Sequence, residues 1–191
     1  MKKAIIFDLY DTLITIQRKS KPYNYLLSNC TSDSKSIIND IMLNDYLAAG
    51  YVNKLKLYNK LKPTADTAHF LKLLDEEVES TVVFSDTYEV LRRLKDKYRL
   101  FCLSNLATPY KFPYYKLDLE NYIEKAFFSC ELTDKKPNAS FYDKVVKYSG
   151  LNKEDFIMIG DNPLSDVKGA QDYGIDAILK DKTLTEVTKD L

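Results

Sequence analysis

Four short apolar runs in the chain are each followed by side chains that can do chemistry. These side chains are Asp8, Ser104, Asn105, Lys136, Asp161 and Asp166. A carboxylate can act as a nucleophile or bind a hard cation, and a lysine with a hydroxyl can hold an anion. The set therefore predicts a site that works on an anionic group and in which carboxylates carry the reaction.

The apolar runs predict buried strands, because they are rich in β-forming residues and continuous rather than alternating. These four runs and a fifth cover residues 2–8, 98–104, 125–130, 156–161 and 174–179. Helical patterns lie between them at 85–98, 138–150 and 164–174. This alternation predicts an α/β fold with a doubly wound parallel sheet, in which ligands bind at the carboxyl ends of the strands.

The interval from about Thr15 to Ser80 differs from the rest of the chain. It contains several helical patterns and no convincing strand, with breaks at Gly50 and Pro63. About 65 residues are too many for one loop in a compact domain, so we expect a helical insertion. The predicted domains are an α/β core, residues 1–14 and 81–191, and a helical insertion, residues 15–80.

Composition argues against several classes of partner. The chain has 191 residues, 45% of them apolar, and its 28 basic side chains balance 28 acidic ones. This balance gives no electrostatic footprint for nucleic acid or an anionic membrane, and we expect neither as a partner. No apolar stretch is long enough to span a membrane, and the first residues do not read as a signal peptide. We therefore expect a soluble, cytoplasmic protein.

Histidine and cysteine chemistry is also disfavoured. The one histidine, His69, lies on a predicted helix, so histidine-based catalysis and metal binding are hard to build. The three cysteines, Cys30, Cys102 and Cys130, are odd in number and widely spaced. They predict neither a disulfide framework nor a zinc site.

Four segments, "FDLYDTL", "LSN", "KKPNASFY" and "IGDNPLSDVKGA", occur in this order at the predicted strand ends. Together they resemble the four motifs of the haloacid dehalogenase (HAD)-like hydrolase superfamily. The resemblance covers about two thirds of the chain, and the helical interval falls where that family inserts its cap between the first and second motifs. It implies a Rossmann-like core with a small helical cap domain.

The resemblance also implies roles for the residues at the strand ends. Asp8 would be the nucleophile that forms a covalent aspartyl intermediate. Ser104, Asn105 and Lys136 would bind the substrate, with Ser104 and Lys136 holding the transferring anion. Thr12 would be the loop hydroxyl that orients Asp8 or the substrate.

A Mg²⁺ site is implied in the same way. Its ligands would be the carboxylates of Asp8, Asp161 and Asp166 together with the main-chain carbonyl of Tyr10. Such a set consists of oxygen atoms, which a hard cation requires.

Tyr10 departs from the phosphatase pattern, in which an aspartate at this position protonates the leaving group and activates water. The ordinary pKa of a tyrosine is about 10, so it could donate a proton but would be a poor base at neutral pH. A phosphatase with this change should be slow. Asp11, at a position where the family usually has glycine, is a candidate substitute acid or base.

Three functions stay open at this point. The favoured one is a Mg²⁺-dependent phosphohydrolase acting on a small phosphorylated metabolite. The second is a metal-free 2-haloacid dehalogenase, because that branch carries tyrosine at the position of Tyr10. That branch lacks the metal-binding acids of the fourth motif, however, and it uses an arginine in the cap. Arg18 of this chain lies too early in the sequence to match that arginine. The third is a HAD-like binding protein with little catalysis. Five tyrosines of the insertion could line the substrate pocket: Tyr23, Tyr25, Tyr46, Tyr51 and Tyr58. Aromatic residues at helical spacing are more often packing residues, however, so none of them is assigned to the site.

Overall fold

The structure is a computed structural model that describes residues 2–31, 33–46 and 48–191. Its strands are β1 Ala4–Phe7, β2 Ile14–Ile16, β3 Thr81–Val83, β4 Arg99–Ser104, β5 Lys125–Phe128, β6 Phe156–Gly160 and β7 Asp176–Leu179. Five of them form one parallel sheet in the order β5-β4-β1-β6-β7. The predicted parallel α/β fold is confirmed.

Helices connect these strands and cover both faces of the sheet. Their bounds are α1 Pro22–Ser28, α2 Ser34–Leu43, α3 Ala48–Leu57, α4 Thr67–Glu79, α5 Thr87–Lys95, α6 Phe112–Lys116, α7 Ser129–Leu132, α8 Ala139–Ser149, α9 Gly169–Tyr173 and α10 Leu184–Val187. Short 3₁₀ turns lie at Thr108–Lys111, Leu119–Asn121 and Lys153–Asp155, and a π-helical turn, Pro163–Lys168, leads into α9. Among the described residues, no helix is long and apolar enough to cross a membrane.

The central strand β1 shows why the apolar runs are continuous. Ile5 and Phe7 belong to the hydrophobic cluster on the α5 side of the sheet. Ala4 and Ile6 belong to the cluster on the α8 side. Because successive side chains point to opposite faces, a strand covered on both faces needs apolar residues at every position.

All five predicted strands of the parallel sheet are present, but two local predictions were wrong. The strand predicted at 125–130 ends at Phe128, and Cys130 lies in α7. Gly50 lies inside α3 instead of breaking a helix, whereas the chain leaves α2 at Asn44, which is extended. A glycine in a helix costs only about 1 kcal/mol relative to alanine, which the packing of neighbouring Tyr51 and Val52 can offset.

The helices α1 to α4 form a helical insertion with its own hydrophobic cluster, which includes Leu26, Leu55, Phe70 and Leu74. The chain enters and leaves it through β2 and β3, which pair antiparallel in a ribbon that the sequence pattern did not predict. The described ribbon brackets the insertion at about residues 16 and 81. The division into core and cap domains stays a prediction.

Candidate active site

The strands of the parallel sheet bring the predicted polar residues to one edge. In the register of the sheet, Phe7 at the end of β1 is opposite Cys102 of β4 and Ile159 of β6. β1 ends at this position, β6 continues for one residue to Gly160, and β4 continues for two residues to Ser104, so the three strands end close to one another. Asp8 follows β1, and its main-chain N–H still donates to the Ile159 carbonyl at 2.9 Å.

A charged cluster, defined as Asp8, Lys136, Asp161 and Asp166, lies at this edge. The Lys136 Nζ is 2.6 Å from Asp8 Oδ1 and 2.7 Å from Asp166 Oδ1. Asp8, Lys136 and Asp166 are only 7%, 3% and 1% exposed, and Asp161 is half-buried. The ammonium group thus joins two buried carboxylates that the sequence separates widely, and it offsets part of their repulsion.

Burial and neighbouring charges shift the protonation of this cluster. Burial raises the pKa of Asp8 to about 6; Lys136 opposes the shift, while Asp166 adds to it. The pKa of Asp161 is raised, first by burial and then by Asp166. Burial alone would lower the pKa of Lys136, but the two carboxylates outweigh it and the pKa is raised overall. Lys136 is therefore a fixed positive charge.

Main-chain contacts hold Lys136 in place. The Asn105 Oδ1 accepts from the Lys136 N–H, and the Asn105 Nδ2 donates to the Lys136 carbonyl, both at 2.8 Å. The Asn105 amide is thus occupied by the protein, although the motif resemblance assigned it to substrate binding. It acts here by fixing the segment that carries the lysine.

Two residues of the fourth motif, Gly160 and Asn162, position Asp166 and were not singled out from the sequence. The Asp166 Oδ2 accepts from the Asn162 N–H at 3.0 Å. A Cβ atom at Gly160 would lie 2.3 Å from Asp166 Oδ2, so only glycine leaves room for this carboxylate. A glycine directly before the strand-end acid was the available sequence signal.

The acidic residues of the cluster are suited to a divalent cation. One carboxylate oxygen from each of Asp8, Asp161 and Asp166 can be chosen so that all three lie within 4.8 Å of one another. Opposite ligands of an octahedral Mg²⁺ are about 4.2 Å apart, so small adjustments would bring these oxygens around one ion. Three carboxylates and one ammonium group leave two net negative charges when all are ionised. The donor set and the charge both fit Mg²⁺.

Two hydroxyls predicted to belong to the site are buried. Ser104 ends β4 and is 2% exposed. Thr12 is fully buried, and its Oγ1 is the one buried side-chain polar atom without a hydrogen-bond partner among the described residues. Because buried polar groups are nearly always paired, this hydroxyl is an exception, and its predicted role at the site stays a prediction.

The side chain of Tyr10 is engaged elsewhere. Its hydroxyl donates to the main-chain carbonyl of Tyr110 at 3.0 Å, and the two rings meet edge to face at 5.6 Å. Burial, with a smaller contribution from Glu77, raises the pKa of Tyr10 further above its ordinary value. Tyr10 therefore keeps its proton and directs it to a carbonyl oxygen. Its side chain is poorly suited to act as a base.

Asp11 adopts the left-handed backbone region, with φ of 55°. Aspartate is one of the few residues other than glycine that tolerates this conformation, which accounts for its presence here. The Asp11 side chain is exposed, and its Oδ1 accepts from the Thr15 hydroxyl at 3.1 Å. It is not part of the charged cluster.

A cavity of about 460 Å³ lies beside the cluster, between the helical insertion and the core. We call it the side cavity. Tyr10, Asp11 and Asn105 border it from the core, and of the five insertion tyrosines considered above Tyr23 lines it. Glu77 of α4, which sequence reasoning missed, also lines it and is 6% exposed.

Comparison with known proteins agrees with this geometry. Residues 2–174 match the sequence pattern of the haloacid dehalogenase-like hydrolase family. The chain belongs to this family. The four motifs that carried the resemblance lie inside the matched range, and the predicted family is confirmed. The chain is accordingly a member of a hydrolase family.

Two curated relatives match part of the chain. A glyceraldehyde 3-phosphate phosphatase of Methanothermobacter thermautotrophicus is 30% identical over 109 residues, which are 56% of this chain and 48% of the relative. The pyrimidine 5′-nucleotidase PynA of Streptococcus pneumoniae is 40% identical over 58 residues, 30% of this chain and 24% of the relative. The matches thus span about half and about a quarter of these relatives.

Solved structures share the fold over nearly the whole chain. A HAD family enzyme of Bacteroides thetaiotaomicron, in complex with magnesium and inorganic phosphate, has a TM-score of 0.73 at 18% identity, covering 98% of this chain and 100% of its own. A HAD phosphatase of Thermococcus onnurineus has a TM-score of 0.62 at 18% identity, covering 95% and 89%. At this identity the likeness establishes the fold alone.

Proposed function

We propose that this protein is a Mg²⁺-dependent phosphohydrolase that acts on a small phosphorylated metabolite through an aspartyl-phosphate intermediate. The observation that carries the proposal is the charged cluster, in which the Lys136 ammonium bridges two buried carboxylates and a third carboxylate lies close by. The phosphatase and nucleotidase names of the curated relatives, and the magnesium and phosphate bound by the Bacteroides enzyme, support it.

The reaction would proceed in two displacements at phosphorus. A carboxylate oxygen of Asp8 attacks the phosphoryl group, a P–O bond forms, and the bond to the alcohol oxygen breaks. The alcohol leaves with a proton taken from solvent. Water then attacks the aspartyl phosphate, which releases inorganic phosphate and regenerates the Asp8 carboxylate.

The protein's own groups would stabilise the charge of this reaction. Lys136, fixed by Asn105, would neutralise negative charge on the phosphoryl oxygens, and Ser104 would bind one of them. Thr12 would orient Asp8 or the substrate through its free hydroxyl. Asp8, Asp161, Asp166 and the Tyr10 carbonyl would hold the Mg²⁺, which supplies positive charge against the anionic phosphate.

Turnover should be slow compared with relatives that have an aspartate at position 10. A general acid or base contributes roughly 10² to 10⁴ in rate, and the Tyr10 hydroxyl is committed to the Tyr110 carbonyl. Asp11 points to Thr15 and lies outside the cluster, so it does not replace the missing group in this arrangement.

A screen of phosphate esters and 2-haloalkanoates, each with Mg²⁺ or with EDTA, tests the proposal. We expect phosphate release that EDTA abolishes, and a phosphoryl adduct on Asp8 in acid-quenched samples analysed by mass spectrometry. Halide release in EDTA would instead establish a dehalogenase. Absence of any turnover, with Mg²⁺ still bound in calorimetry, would establish a binding protein.

A further inference from the structure

Two residues link the side cavity to Asp8, the residue that would attack the substrate. Asn105 borders the cavity and is hydrogen-bonded to the main chain of Lys136, whose Nζ contacts Asp8. Tyr10, two residues after Asp8, also borders the cavity. A phosphate held against Asp8 and Lys136 would therefore extend its alcohol part into this space.

The wall of the side cavity is mainly apolar. It is formed by aliphatic and aromatic side chains from the insertion, the ribbon and the loop after β4, among them Ile16, Tyr23, Leu27, Ile41, Met42 and Leu106. Ligand pockets of this size usually combine an apolar wall with a few polar groups that set specificity. The available polar groups therefore decide which ligand fits.

Most of the buried and half-buried polar groups of the cavity are already paired within the protein. The Tyr10 hydroxyl donates to the Tyr110 carbonyl, and the Tyr110 hydroxyl donates to Glu77 Oε2. The other oxygen of Glu77 accepts from the Lys21 N–H at 3.0 Å. The Asn105 amide is paired with the main chain, as described above. Of the remaining polar lining residues, Tyr23 is half-buried and its hydroxyl has no hydrogen-bond partner among the described residues. Asp11, Lys19, Lys21 and Asn24 have exposed side chains.

We propose that the side cavity binds the alcohol part of the substrate, and that this part is an apolar or aromatic ring rather than a polyhydroxylated sugar. The inference rests on the proposed function, which it deepens by naming the substrate class. A sugar would place several hydroxyls against a wall on which the Tyr23 hydroxyl is the one free polar group that is not exposed, among the described residues. A ring without hydroxyls would fill the same space and bring no unpaired polar group of its own.

Cyclohexylmethyl phosphate and glucose 6-phosphate form a matched pair for the test. Both are phosphates of a primary alcohol on a six-membered ring, and they differ in the ring oxygen and hydroxyls. An apolar pocket disfavours one added hydroxyl by roughly 10². With Mg²⁺ present, kcat/KM should be at least about 100-fold higher for cyclohexylmethyl phosphate. An equal or higher value for glucose 6-phosphate would overturn the inference.

Binding separates failure of this inference from failure of the proposed function. Benzylphosphonate cannot be hydrolysed, so its affinity in the presence of Mg²⁺ reports on the cavity even if the protein has no turnover. We expect it to bind at least about tenfold more tightly than methylphosphonate by calorimetry. This preference without hydrolysis of any ester would refute the phosphohydrolase and keep the apolar site. Hydrolysis of a phosphate ester without this preference would support the phosphohydrolase and refute the apolar site.

A variant of the cavity wall links the preference to this surface. Met42→Gln keeps the length of the side chain but introduces an unpaired amide. It should lower the ratio of kcat/KM for cyclohexylmethyl phosphate to that for glucose 6-phosphate about tenfold, with the benzylphosphonate affinity falling in parallel. Leu57→Gln, at a residue that is 76% exposed and outside the cavity, is the control and should leave both unchanged. An unchanged ratio in Met42→Gln would place the preference elsewhere.

Discussion

The charged cluster and the side cavity are neighbours, yet they are built from different parts of the chain and in opposite ways. The cluster is made by strand-end residues of the parallel sheet, such as Asp8 and Asp161, and by Lys136, which balances only part of the negative charge of the carboxylates. The cavity is made largely by the insertion and its ribbon, and most of its buried polar groups are already paired. In the proposed function, reaction and substrate choice are therefore carried by separable regions.

The largest effect should follow from a change that removes the nucleophile. Asp8→Asn keeps the size of the side chain but cannot attack phosphorus, so phosphatase turnover should fall by about 10⁴ or more. The affinity for benzylphosphonate should change far less, because the apolar wall is intact. Steady-state kinetics and calorimetry on the same preparation measure both. Equal losses of turnover and affinity would show that the two regions are not separable.

Removing the ammonium group should destabilise the cluster strongly. Lys136→Met leaves Asp8 and Asp166 buried without their counter-ion, which should lower the free energy of unfolding of the metal-free protein by about 3 to 5 kcal/mol. Urea unfolding in EDTA measures this loss, and added Mg²⁺ should recover part of it. The matched control is Lys135→Met, which loses one exposed contact, to Asn39, and should stay within about 0.5 kcal/mol of the wild type. Similar losses in both variants would argue against a special role for Lys136.

Magnesium affinity should depend on pH through Asp8. Its pKa of about 6 in the metal-free protein means that protons compete with the cation below pH 6. The apparent Kd for Mg²⁺ should therefore be nearly constant above pH 7 and rise up to about tenfold for each unit below 6. Calorimetry between pH 5 and 8 gives this profile. Asp8→Asn should bind Mg²⁺ more weakly but with a flatter profile, and an unchanged slope would assign the proton to another group.

The two regions also differ in how far the sequence predicted them. The cluster was predictable because an acid that ends a buried apolar strand is conspicuous, and because parallel strands bring their ends together. The contact between Glu77 and Tyr110 was not, since it joins an insertion helix to a core loop 33 residues away with no local pattern. Three-residue strands such as β2 and β3 are too short for periodicity to reveal. The local sequence pattern predicts the sheet, whereas the cavity depends on how the insertion packs against the core.

Tyr10 lies at the border of the two regions, and removing its hydroxyl should have the smallest effect. Tyr10→Phe deletes the hydrogen bond to the Tyr110 carbonyl and should cost about 1 kcal/mol of stability, because one partly buried bond is lost. Since this hydroxyl keeps its proton and faces a carbonyl, kcat should change by less than about threefold, with the same pH profile. Thermal unfolding and pH-dependent kinetics measure the two effects. A drop in kcat above tenfold, together with the loss of one limb of the pH profile, would show that Tyr10 donates a proton. A residue of the cavity wall would then take part in the reaction.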